Sequence, residues 1–146
     1  MSTLTASSVR TLTAKDPMSS PAVVVSPSTT VWDAWQRMTN SGLRHLVVCL
    51  EGRVAGVIDD RAVFAQWPMG PLALRRTRIA DLMRRRVSCL LPGADARQVA
   101  NVMILDAVDA VPIVDANGFV LGVVTSSDLV VAAATHGLWR EREETQ

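Results

Sequence analysis

The chain has 146 residues, enough for one compact domain of ordinary size, and 49% of them are hydrophobic, which is high for a soluble protein and sufficient for a real core. A formal net charge of +1 leaves no global field to draw the chain to nucleic acid or to an anionic membrane. No apolar run approaches the about 20 residues that a bilayer span needs, and the opening MSTLTASSVRTLT has neither the basic leader nor the apolar stretch of a secretory signal, so a cytoplasmic protein is expected.

The sequence is duplicated. Displaced by 65 positions it lands on itself: Asp16-Pro17-Met18 on Asp81-Leu82-Met83, Pro27 on Pro92, Met38 on Met103. One extra residue in the second copy then moves the shift to 66, and Gly52 falls on Gly118 and Gly56 on Gly122.

The first copy opens with a short helical turn near 13–18, followed by a strand, AVVV from Ala22, which Pro27 ends because proline donates no ladder hydrogen bond. Thr30 and Asp33 have the types and spacing of a helix N-cap pair. Behind them Val31, Ala34, Trp35 and Met38 make one apolar face at helical spacing, so Trp35 and Met38 read as core ahead of any stacking on a cofactor. Trp32 has no place on that face and is a candidate interface residue. HLVVCL and VAGVI then form a hairpin around Glu51-Gly52, with His45 a packed or edge residue at its start, and a last helix runs near 60–67.

The stretch PMGPLALRRTR reads as a connector. It divides a first repeat, 9–68, from a second, 78–135, with 69–77 as linker and with 1–8 and 136–146 as flexible or extending tails. The second copy repeats the order: a turn near 78–83, a strand VSCLL from Val87 closed by Pro92, and a helix capped by Asp95 with Gln98 and faced by Ala96, Val99, Ala100 and Met103. A hairpin of AVPIVD and FVLGVV around Asn117-Gly118 and a last helix near 126–135 complete it. Cys49 and Cys89 both lie in apolar runs and read as small buried hydrophobes, not as a disulfide. A copy of about 60 residues buries too little surface to be comfortable alone. Two copies related by a pseudo-two-fold axis pack their sheets into one core and leave two equivalent clefts, which are default ligand sites.

The order strand, helix, hairpin, helix, with IADLM, AVPIVD and NGFVLGVVTSSDLV, resembles the CBS domain, named after cystathionine β-synthase, and two in tandem resemble a stand-alone CBS pair or Bateman module over roughly 9–135. The resemblance implies a mixed α+β (α/β) fold of two β-α-β-β-α repeats. It also implies a regulatory, non-enzymatic module that binds AMP, ADP, ATP or S-adenosylmethionine, a homodimer through the helices, and a protein partner that reads the bound state. The family's ligand signature, glycine, apolar, any residue, threonine or serine, two residues, aspartate, matches Gly122, Val123, Thr125 and Asp128.

The chemistry of these residues agrees. An ionised aspartate only accepts, which suits the two hydroxyls of a ribose, and Thr125 can donate to a phosphate or accept from a sugar. Gly122 would let a ligand come close to the backbone, the following helix start favours negative charge, and Leu90, Val111 and Pro112 are placed to form an apolar slot for adenine. The structural alternative is that Thr125 or Ser126 caps the last helix with Asp128 in its first turn.

The first copy departs from the signature: Asp59 stands at the place of Thr125 and Ala62 at that of Asp128. Loss of a charged hydrogen bond, roughly 1.5–3 kcal/mol, predicts one competent cleft and one weak, empty or repurposed cleft. Arg61, at the place of Ser127, either faces a phosphate across the dyad or is solvated. Arg84, Arg85 and Arg86, near Arg75, Arg76 and Arg78, read as a solvated surface, with a grip on a polyphosphate or on RNA or DNA as alternatives; no tryptophan is interleaved with them. No phosphate-binding GxxxxGK[ST] loop, metal-ligand spacing or serine–histidine–aspartate arrangement is present. The other readings are an interaction module without a ligand and a nucleic-acid-binding CBS protein.

Overall fold

The computed structural model describes residues 12–20 and 22–136. The expectations for the tails therefore fall almost wholly outside the described residues. The elements run β1 (Val24–Val25), α1 (Val31–Ser41), β2 (His45–Leu50), β3 (Arg53–Asp59), α2 (Asp60–Phe64), a 3-10 turn (Trp67–Met69), α3 (Pro71–Arg76), a 3-10 turn (Ile79–Asp81), α4 (Ala96–Asp106), β4 (Ala110–Val114), β5 (Val120–Thr125) and α5 (Ser126–His136).

The expected caps form. Thr30 accepts from the Asp33 amide at 3.1 Å. Asp95 and Gln98 make a full capping box, with Gln98 Oε1 accepting from the Asp95 amide at 2.9 Å. Both hairpins form, with different turns. Glu51 (φ 54°) and Gly52 (φ 81°) are both left-handed, as a two-residue type I′ turn requires. In the second, only Gly118 is left-handed (φ 88°), and Asp115 Oδ1 accepts from the amides of Asn117 and Phe119.

Three strands make the first sheet, in the order β1-β2-β3, with β1 parallel to β2 and β3 antiparallel; β4 and β5 make an antiparallel second sheet. The expected strand over Val87–Leu91 is reduced to one parallel bridge, Leu90 with Ile113. The reason is Pro112. Its counterpart in the first copy, Val47, donates its amide to Val23 O at 3.3 Å, and proline has no amide hydrogen to give. The connector is also more than a linker: α3 lies within it and buries Leu74 in the first core. The last helix of the first copy stops at Phe64, short of the expected 67.

The repeats exchange their leading segments, and the backbone hydrogen bonds obey the dyad. Ala14 donates to Ala94 O and Ala96 to Leu12 O in one half; Ile79 donates to Thr29 O and Val31 to Thr77 O in the other. Ser19 and Val123 exchange amides and carbonyls as Arg84 and Val57 do. Ile79 accordingly fills the first core, with Val31, Leu46, Val48 and Ile58, while Ala14 fills the second, with Val99, Val111, Ile113 and Val124. The hairpin tips also meet: Val120 donates to Gly52 O at 3.2 Å, and the Arg53 guanidinium sits 5.1 Å from the Phe119 ring centre. Cys49 is buried and free, and burial pushes both it and Cys89 above the ordinary thiol range.

Candidate functional site

Helices α2 and α5 begin on either side of the dyad, each capped by the residue that ends its strand. Asp59 Oδ1 accepts from the Ala62 amide at 2.8 Å. Thr125 Oγ1 accepts from the Asp128 amide at 3.2 Å, while Asp128 Oδ2 accepts from the Thr125 amide at 2.8 Å. This reciprocal pair is a capping box. It accounts for one oxygen of Asp128; no hydrogen bond reaches Oδ1 among the described residues. Behind the caps, Asp60 donates its amide to Arg44 O and Ser126 to Asp109 O, each at 2.9 Å.

Between the helix starts opens a cleft of 560 Å³, lined by 42–45, Asp60 and Arg61 from the first repeat and by Asp109, Thr125, Ser126 and Ser127 from the second. That volume lies within the range of small-molecule sites, about 300–1,000 Å³. The cavity around Asp59 measures 80 Å³ and is lined by Val57, Arg84, Val87, 107–110, Arg61 and His45. His45, at the start of β2, stands at both. Burial lowers its pKa below the ordinary histidine value, opposed by the nearby carboxylates of Asp59, Asp109 and Asp60.

The sequence candidates divide. Thr125 lines the cleft; Asp128 is hydrogen-bonded to Thr125 but is not among the residues that line the cleft. Arg61 reaches across the dyad to Asp109, Nη2 to Oδ2 at 2.5 Å, with the two side chains 75% and 46% exposed. Val123 pairs with Pro112 on β4 and with Ser19. Leu90 is partly buried against the second core and Pro112 is buried in β4. Val111 is 0% exposed inside the second core, so its side chain does not line an adenine slot. The close approach expected at Gly122 is made by the chain itself: a Cβ there would collide with Met18 Cγ and lie 2.5 Å from Ser19 O.

Arg44, Asp109 and the cleft-facing role of His45 were not singled out in the sequence. Arg44 and Asp109 are dyad mates of opposite charge, and the repeat alignment alone could have drawn attention to them. The arginine run is dispersed over the surface: Arg84 donates to Asp106 O at 2.5 Å, Arg85 to Ala80 O at 2.8 Å and Arg78 to Ser28 O at 2.7 Å. Arg75 lies 4.8 Å over the Trp32 ring, which is half-buried beside Trp35 and Trp67 and so is not an exposed anchor.

The sequence model of the family described as CBS domain matches residues 9–66 and 79–135. The uncharacterized protein MJ1225 of Methanocaldococcus jannaschii is 25% identical over 118 residues, which are 74% of this chain; the chain spans 42% of that relative's length. The CBS domain pair of protein MJ0100, solved with 5′-methylthioadenosine and S-adenosyl-L-methionine, superposes with a TM-score of 0.76 at 24% identity, over 86% of this chain and 98% of that one. CBSX2, solved with AMP, superposes at 0.70 and 24% identity, over 84% and 96%. Two matched repeats, exchanging their leading segments about a dyad, make this chain a member of the CBS domain family, in the form of a tandem pair.

Proposed function

We propose that the chain is a regulatory module, acting in the cytoplasm without catalysis, that binds one adenosine-containing ligand in the 560 Å³ cleft and passes the bound state to a protein partner. The observation that carries this reading is the meeting of Thr125 and the start of α5 with Arg44, His45 and Arg61 from the other repeat in one cavity of nucleotide size. Thr125 in the cleft wall supplies an acceptor for a ribose, and Asp128, hydrogen-bonded to Thr125 outside the lining, would have to present its Oδ1 to add a second. Arg44, Arg61 and the helix start suit a phosphate, opposed by the Asp60 and Asp109 carboxylates in the same lining. Gly122 and Val123 hold the Met18–Ser19 segment beside this strand, and the half-buried Leu90 supplies apolar surface near it, whereas Pro112 is buried in β4. The 80 Å³ of the Asp59 cavity supports a single site per chain.

MJ0100 in complex with 5′-methylthioadenosine and S-adenosyl-L-methionine, and CBSX2 in complex with AMP, support adenosyl ligands as the class to test. The exposed Ile104, Leu105, Val130 and Val131 on α4 and α5 support pairing with a second copy.

A thermal-shift series with AMP, ADP, ATP, S-adenosylmethionine and methylthioadenosine tests the reading. Ligand at 100 times its Kd adds about 2.7 kcal/mol, a rise of roughly 5–11 °C for a chain of this size. Asp128→Ala should weaken the responding ligand about 10- to 150-fold. One observation favours a second reading, an interaction module without a ligand: the Thr125–Asp128 pair is already explained as a helix cap. No shift with any of the five ligands would establish that reading in place of the first.

A further inference from the structure

The pair Arg61–Asp109 breaks the dyad. Arg61 opens α2 and Asp109 precedes β4, so the bond ties the start of one repeat's last helix to the other repeat. The symmetry mates of these two residues are Ser127 and Arg44, which cannot form an ion pair. The link thus exists on one side of the axis only, and both its members line the 560 Å³ cleft. Asp109 is anchored there, because its carbonyl accepts from the Ser126 amide at 2.9 Å. Arg61 is 75% exposed and on a long, flexible stem. An ion pair this exposed contributes little, since solvent screens it. It is strong enough to occupy Arg61 when no ligand competes and weak enough to give way to a better anion. A phosphate beside the α5 start carries up to two negative charges and offers a planar guanidinium paired oxygens.

We propose that Asp109 is a built-in competitor for the ligand's anionic group. It holds Arg61 when the cleft is empty and yields it to a phosphate when the cleft fills. The ligand class this selects is the phosphorylated adenosine nucleotides, over the uncharged thioether and the sulfonium. The same exchange cuts the tie between the repeats, so that occupancy by a phosphorylated ligand changes how the two halves are held. This rests on the adenosyl reading of the cleft, and deepens it by assigning the discrimination to Arg61 and Asp109.

The test is isothermal titration of the full chain, Asp109→Asn and Arg61→Gln with three probes: AMP, methylthioadenosine and inorganic pyrophosphate. Unliganded melting temperatures establish that the variants are folded. Asp109→Asn keeps the side-chain shape and removes the charge. It should tighten AMP and pyrophosphate by about two- to fivefold, the worth of an exposed pair, and leave methylthioadenosine unchanged. Arg61→Gln should weaken AMP and pyrophosphate about tenfold or more, again sparing methylthioadenosine. AMP binding that is unchanged or weaker in Asp109→Asn overturns the proposal, as does an equal loss of AMP and methylthioadenosine in Arg61→Gln. If neither adenosyl probe binds the unaltered chain but pyrophosphate binds and tightens in Asp109→Asn, the adenosyl reading fails and the exchange at Arg61 stands. If no probe binds, both fail.

Discussion

Single residues in this chain are fixed by what comes to them from the other repeat. Gly122 reads in the sequence as a place for a ligand to approach; what approaches is Met18 and the carbonyl of Ser19, and at the dyad-related Gly56 it is Arg84 O, which would lie 2.6 Å from the Cβ of any larger residue there. A backbone oxygen cannot rotate away as a side chain can. Gly122→Ala is therefore expected to cost about 1–3 kcal/mol by overpacking, whereas Gly93→Ala, with nothing within 4 Å, should be close to neutral. Urea denaturation of the two variants checks the contrast, and equal midpoints would refute it. The glycines were legible in the sequence but their neighbours were not, because those lie in the opposite repeat. His45 carries a second prediction. Burial lowers its folded pKa below the ordinary value of 6.5, despite Asp59, Asp109 and Asp60. Between the folded and unfolded pKa values the unfolded chain binds more protons, so stability falls as the pH drops through and below 6.5. His45→Gln should flatten that part of the curve of unfolding free energy against pH, and a slope unchanged by the substitution would contradict the assignment.

Elements follow local chemistry where their determinants are adjacent in the chain. Both N-caps, the amphipathic faces of α1 and α4 and the two hairpins were legible, since each depends on residues within one or two turns. The failures have identifiable causes. The second repeat's opening strand is lost because Pro112, on another strand, withholds an amide, and no property of VSCLL itself reveals this. The connector PMGPLALRRTR hides a helix because Pro71 does not break it but occupies its first turn, where the missing amide costs nothing. The buried Leu74 makes α3 part of the first core. Leu74→Ala should accordingly cost about 2–5 kcal/mol, as a core truncation does, while Leu72→Ala, on the exposed side of the same helix, should stay within about 0.5 kcal/mol. A passive linker would make the two variants alike in denaturant midpoint.

The whole molecule is two sequence repeats but not two independent halves. The duplication, the dyad and the presence of clefts were legible in the spacing of the sequence; the exchange of leading segments was not, because the internal alignment is the same whether each turn packs on its own repeat or on the other. Leu12 makes the consequence testable. It precedes the first repeat's strand in the chain, yet it is buried against Ala96 of α4 and Ala132 of α5, and its carbonyl accepts from the Ala96 amide at 2.8 Å. Its dyad mate is Thr77, which likewise accepts from Val31. If the leading segments are structural members of the opposite repeat, a cavity made at Leu12 loosens the second repeat first. Leu12→Ala should lower global stability by about 2–5 kcal/mol, and hydrogen exchange should quicken in α4 and α5 before it does in β2 and β3. The opposite order, with early loss of protection in β2 and β3 while α4 and α5 stay protected, would show that each leading segment serves its own repeat. The dyad-wide coupling through which a ligand in the cleft would be felt by both halves would then have no structural basis.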